Sequence, residues 1–180
     1  MNAFTIPNLI STIRIGLVPV MLWLLIGRDN PIGAGWMLGL IGSTDWIDGY
    51  LARRLDQVSK FGEFLDPLAD RLAVGAALIG GLITDDIPRW FAVAVLAREV
   101  LVGVAGLYLG FRYRRKVTVR RLGKLATLGI YSSLGWFLIG VNTGWLQVLA
   151  WGVGLPSVII YYVVAYQYTG DLRRQVASAS

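Results

Sequence analysis

The chain contains no cysteine and no histidine. That excludes thiol nucleophiles, disulfides and imidazole bases, and removes the commonest zinc ligands. Any metal bound here is therefore held by oxygen. Charge is also scarce: 16% of the 180 residues are Asp, Glu, Lys or Arg, against about 25% in soluble globular domains. Hydrophobic residues make up 56%, and the mean hydropathy is +0.60. The apolar residues fall in runs long enough to cross a bilayer. An ordinary soluble domain is thereby excluded, and a single polytopic membrane domain is predicted over residues 1–170, followed by a polar tail, 171–180. No signal peptide is expected, because residues 1–13 hold no basic residue and the first apolar run lacks a small-residue cleavage site.

What is present is a set of apolar segments that predicts an all-α bundle of six transmembrane helices. The first, Pro7 to Ile26, has a polar start with Asn8 as a helix cap. Arg14 lies about a turn and a half inside it, where it needs a phosphate, a carboxylate or interfacial water. The second segment runs from Gly33 to Arg53 and Arg54, and the third from Phe61 to Ile83, with Pro67 in its first turn. The fourth spans Trp90 to Gly110, the fifth Leu122 to Val141, and the sixth Trp145 to Tyr168, with a frayed tail beyond.

A net charge of +6 could suggest nucleic acid, but the basic residues sit between apolar segments, as juxtamembrane charge facing anionic membrane lipids does. Arg53, Arg54 and Lys60 lie between segments two and three, seven basic residues lie between Arg112 and Lys124, and Arg173 and Arg174 lie in the tail. The opposite side carries Arg28 and Arg89. The positive-inside rule then predicts cytoplasmic termini and cytoplasmic basic loops.

The stretch from Asp45 to Asp70 stands out in this apolar chain. It fits D-x2-D-G-x2-A-R-x8-G-x3-D-x3-D, filled by Asp45, Asp48, Gly49, Ala52, Arg53, Gly62, Asp66 and Asp70. On helices, spacings of three and four put each aspartate pair on one face. Four gathered carboxylates repel one another without cations, and all-oxygen ligation suits Mg²⁺ or Mn²⁺. Two divalent cations held by shared carboxylates would neutralise a pyrophosphate and stabilise its leaving phosphate. Gly49 and Ala52 lack bulk, so a nucleotide or a neighbouring helix can approach the backbone, and Arg53 can fork two bonds to a phosphate. The bland alternative is that the carboxylates pair with Arg53, Arg54 and Arg71 at the interface. Ion pairing alone would not demand the glycines or both spacings.

On these eight residues the chain resembles the CDP-alcohol phosphotransferase family, which moves a phosphoalcohol group from a CDP-linked donor to an acceptor hydroxyl. The resemblance implies that Asp45, Asp48 and Asp66 are ligands of a two-metal centre. Asp70 would stand near the second metal and act as general base toward the acceptor. Gly49, Ala52, Arg53 and Gly62 would line the cytidine diphosphate site. Asn8 and Arg14 are similar to the P-N-x5-R opening of many bacterial phosphatidyltransferases, which adds them to the donor side. The membrane setting points to CDP-diacylglycerol as donor, CMP as leaving product, and a site facing the cytoplasm of a bacterial plasma membrane. A homodimer is implied as well.

For the acceptor, Arg98 and Glu99 match the first half of a fourth-helix pattern found in phosphatidylglycerophosphate synthases, R-E-I-x-V-S-x-L-R-E, but Gly106 replaces its second arginine. The segment Val117 to Gly129 instead looks like the corresponding part of actinobacterial cardiolipin synthases of this family. Phosphatidylglycerol is accordingly the expected acceptor, and glycerol 3-phosphate the alternative. Arg98, Arg121 and Lys124 are the candidate contacts to its phosphate, although positive-inside charge accounts for most of the basic loop. The pairs Gly35/Gly39 and Gly106/Gly110 fit small-xxx-small helix packing. A cation transporter with an acidic ion site is the competing class, but it leaves Gly49, Ala52 and Gly62 unexplained.

Overall fold

Six helices and, among the described residues, no strand make up the fold. The computed structural model describes the backbone of residues 6–55, 60–113 and 121–177, and the side chains of residues 12–44, 69–104 and 122–167. Helix α1 spans Ile6–Leu22 and widens into a π-helical turn, Trp23–Gly27. Helices α2 (Pro31–Leu55), α3 (Lys60–Thr84) and α4 (Arg89–Tyr113) have 25 residues each. Helix α5 spans Arg121–Ile139 and α6 Gly144–Ala177.

The turns follow from local chemistry. Asp29 adopts a left-handed φ of 50°, a conformation Asp tolerates better than most residues. Asn30 then caps α2, its Oδ1 accepting the Gly33 N–H at 2.9 Å, and Pro31 fills the first helical position, where its missing N–H costs nothing. Asp85, with φ 60°, makes the turn before α4.

Two expectations are corrected. Helix α3 starts at Lys60, so Pro67 lies in its interior and not in its first turn; one backbone bond is lost, and the helix continues through it. Helix α6 extends to Ala177, taking in most of the tail expected to fray. No proline follows Gly170, and Leu172, Arg173, Arg174 and Gln175 all have high helix propensity.

Close contacts fix the helix directions. A Cβ at Gly35 would stand 2.7 Å from Ile139 Cγ1 and one at Gly42 would stand 2.6 Å from Tyr131 Cε1, so α2 and α5 run antiparallel. The Tyr131 hydroxyl also donates to the Leu38 carbonyl at 3.0 Å. Gly35, Leu38 and Gly42 thus form the seam, whereas a Cβ at Gly39 would meet nothing within 4 Å. The expected pairing of Gly35 with Gly39 is half right: the contact repeats every seven residues, as left-handed packing of nearly aligned helices requires. Ser133 ties α5 to α6 through a buried bond to the Ala150 carbonyl at 2.7 Å. Phe91, Phe137 and Trp151 pack edge to face where α4, α5 and α6 meet.

Helix α1 packs on α2 and α3, while α4 touches the bundle through α3 and α6. One end of this up-and-down bundle gathers the starts of α1, α3 and α5 and the ends of α2, α4 and α6. The other end carries the short turns. Large hydrophobics lie more than half exposed on the outside, among them Ile79, Leu101, Leu128, Val148 and Ile159. Among the described residues, Leu122–Ile139 and Gly144–Gln167 are long and apolar enough to cross a membrane.

Candidate active site

Asp45 and Asp48 lie on α2, and Asp66 and Asp70 on α3. Four residues, 56–59, separate the two helices, so α2 and α3 form an antiparallel hairpin in which depth can be counted from the connection. Asp48 lies seven residues before Leu55 and Asp66 six after Lys60, or about 9–11 Å of helix rise in both cases. Asp45 and Asp70 each lie ten residues from the connection, about 15 Å deep. The hairpin therefore sets the four aspartates at two matched levels. The side chains of Asp45, Asp48 and Asp66 lie outside the described residues, as do those of Asn8, Gly49, Ala52, Arg53, Gly62 and Arg121.

Asp70 is described in full. Its side chain is 40% exposed, while Ala69 and Ala73 beside it are buried. From α1, Arg14 reaches across to it: Nη1 of Arg14 lies 3.3 Å from Oδ1 of Asp70, and the Arg14 side chain is 0% exposed. Of the three partners that the sequence left open for Arg14, the structure shows a carboxylate. Arg71, one residue further on, is exposed.

Donor chemistry tests whether the hairpin fits a metal. All four candidate ligands are carboxylates, and Asp70, the one whose side chain is described, keeps a partly exposed face beside the Arg14 guanidinium. That suits hard divalent cations, which take oxygen ligands and retain water.

Arg98 is buried on α4, 8% exposed. Its Nη1 lies 3.2 Å from Oε1 of Glu99, and its guanidinium carbon lies 3.5 Å from the ring centroid of Tyr161 on α6. The Tyr161 hydroxyl donates to the same Glu99 oxygen. Sequence reasoning singled out Arg98 and missed Tyr161. The available signal was the Arg98-Glu99 pair itself, since charges inside an apolar bundle need polar partners and tyrosine supplies one. Lys124, in the first turn of α5, is exposed.

Fold and sequence together describe an all-helical protein with large hydrophobics on its outside and four aspartates on two successive helices. Residues 4–156 match the CDP-alcohol phosphatidyltransferase family, and the chain belongs to that family. It is 34% identical, over 97% of its length and 86% of the relative's, to a cardiolipin synthase (CMP-forming) of Streptomyces coelicolor. It is 38% identical, over 69% of its length and 71% of the relative's, to a CDP-diacylglycerol–glycerol-3-phosphate 3-phosphatidyltransferase of Bacillus subtilis. A protein of that same name from Escherichia coli is 33% identical over 94% of this chain and 96% of its own.

Proposed function

We propose that this protein is a membrane phosphatidyltransferase that moves the phosphatidyl group of CDP-diacylglycerol to a hydroxyl of phosphatidylglycerol, forming cardiolipin and releasing CMP. The observation that carries the reading is the aspartate hairpin, with Asp70 half-exposed and anchored by Arg14. Asp45, Asp48, Asp66 and Asp70 would hold two divalent cations, Mg²⁺ or Mn²⁺, which when bound neutralise the donor pyrophosphate and stabilise the departing phosphate. Asp70 takes the proton of the acceptor hydroxyl as its oxygen bonds to the β-phosphorus. The bond from that phosphorus to the bridging oxygen breaks in line, and CMP leaves with the electron pair. Gly49, Ala52, Arg53 and Gly62 line the cytidine diphosphate site, with Asn8 beside it. Arg98, Arg121 and Lys124 face the acceptor's phosphate.

Family membership supports the transfer chemistry over a cation transporter, as does the placement of all four aspartates at one end. The match to a cardiolipin synthase across nearly the whole chain favours phosphatidylglycerol as acceptor. Glycerol 3-phosphate is the second reading, favoured by relatives named for that acceptor.

The same proposal places residues 1–170 as one domain in a bacterial plasma membrane, with six spans, cytoplasmic termini and a homodimeric state. Helices of 25 residues reach about 37 Å, enough to span. Trp23, Trp36, Trp90 and Trp145, all more than half exposed, lie at the end with the short turns, where an interfacial aromatic belt would stand.

The deciding experiment offers CDP-diacylglycerol to the purified protein with phosphatidylglycerol or glycerol 3-phosphate, and measures CMP and the lipid product. Cardiolipin from phosphatidylglycerol alone is expected. Phosphatidylglycerophosphate would overturn the acceptor, and no CMP from either would overturn the reaction.

A further inference from the structure

Arg98, Glu99 and Tyr161 close a triangle between α4 and α6. A guanidinium and a carboxylate left to themselves settle into a fork of two parallel bonds. Here the Arg98 Nη1 and the Tyr161 hydroxyl both donate to Oε1 of Glu99, so the carboxylate is held at the Nη1 corner, away from the Nε and Nη2 edge. The Arg98 Nε is buried and has no hydrogen-bond partner. Native interiors rarely leave a buried donor without an acceptor. An open guanidinium edge in an apolar bundle therefore points to an acceptor oxygen that arrives with a ligand. The Tyr161 ring, itself 2% exposed, stacks on the guanidinium, which fixes its plane and hence the direction of its N–H donors.

The triangle lies about a turn and a half deeper in the bundle than Asp70. Nη1 of Arg71, next to Asp70, lies 3.9 Å from the position a Cβ would take at Gly103 on α4. Arg98 comes five residues earlier on α4, about 7.5 Å of helix rise deeper into the bundle.

We infer that Tyr161 and Glu99 are positioning residues that hold Arg98 with its Nε edge open to a phosphate oxygen of the anionic acceptor. This rests on the phosphatidyltransferase reading. A phosphodiester, as in phosphatidylglycerol, and a phosphomonoester, as in glycerol 3-phosphate, both supply that oxygen.

Tyr161→Phe keeps the ring over Arg98 and removes the hydroxyl, which frees Glu99 to leave the Nη1 corner and fork the Nε and Nη2 edge instead. Acceptor KM should rise about tenfold, the loss of one charge-assisted bond, with donor KM unchanged. Adding Glu99→Gln to that variant weakens the fork and should recover most of the acceptor KM, whereas a merely structural defect would deepen. A binding readout stands apart from turnover: unfolding temperature in neutral detergent, measured with phosphatidylglycerol, glycerol 3-phosphate, or phosphatidylcholine as the zwitterionic control. Wild type should be stabilised by one of the two anionic compounds and Tyr161→Phe should not. Equal stabilisation of both proteins, or none in wild type, would overturn the inference, as would an unchanged acceptor KM or equal changes for both substrates. If wild type released no CMP, the reaction reading would fail and the binding arm alone would decide.

Discussion

Nη1 of Arg14 and Oδ1 of Asp70 lie 3.3 Å apart, joining α1 to α3 across 56 residues of sequence. The guanidinium is fully buried and the carboxylate half-exposed. A guanidinium cannot shed its proton in a protein, so the bundle carries a fixed positive charge directly behind the proposed base. Arg14→Gln removes a charge-assisted bond of about 1.5–3 kcal/mol, with the exposure of Asp70 placing the loss toward the lower end. Asp70→Asn should cost more, because it takes one partner from a buried charge. Thermal unfolding of both single variants and the double variant in detergent measures the coupling. Losses that simply add would show that the two side chains do not act as a unit.

Glycines on α2 give a sharper test of packing. A Cβ at Gly35 would stand 3.0 Å from the backbone N of Ile139 and 3.0 Å from Leu138 Cβ, neither of which can swing away. Gly35→Ala should destabilise by about 1–3 kcal/mol, the usual cost of overpacking. Gly39→Ala meets open space and should be neutral or stabilising by up to about 1 kcal/mol through helix propensity. The two variants carry the same chemical change four residues apart, so opposite signs in unfolding temperature would locate the seam.

That contrast shows what was legible in the sequence. Six helices follow from the apolar runs, and the aspartate hairpin from spacing alone, because both are local patterns with a fixed period. Which of Gly39 and Gly42 touches α5 depends on the crossing of two helices, which spacing does not encode. Arg14 illustrates the same limit: its place inside α1 demands a partner, but that Asp70 stands within reach depends on the packing of α1 on α3. Tyr161 was invisible for a different reason, since a tyrosine in an apolar run resembles many others until Arg98 is seen beneath its ring. Pro67 lies past the first turn whether α3 starts at Phe61, as expected, or at Lys60, and local rules that bar proline from helix interiors do not foresee a helix that continues through it.

At the opposite end, Asp85 and Arg89 form a two-bond pair, 2.8 and 2.9 Å long. The hydrogen bond from Arg89, and then its charge, hold the Asp85 carboxyl below its ordinary value of 3.8. A carboxyl whose folded value is depressed contributes stability that is present above the unfolded value and is lost as pH falls through the folded one. Wild type and Arg89→Gln should therefore differ slightly in unfolding temperature at neutral pH and converge below about pH 3.8. The Asp85 carboxyl, followed by NMR, should titrate higher in the variant. A gap that persists in acid would mean that Arg89 acts through packing.

The aspartate hairpin makes the strongest demand on chemistry. Chelation of divalent cations should stop CMP release, and Mg²⁺ or Mn²⁺ should restore it. The roles proposed for the four carboxylates assign different consequences to different substitutions. If Asp48 is a ligand only, as proposed, part of the defect of Asp48→Asn should yield to a higher metal concentration. Asp70→Asn removes the proposed proton acceptor as well, and turnover should fall by about 10²–10⁴, the usual contribution of a positioned general base, with no recovery at any metal concentration. Titrating Mg²⁺ against CMP release in wild type and the two variants separates the roles: a defect at Asp70 that metal alone repairs would reduce it to a ligand and leave the acceptor's proton to another group.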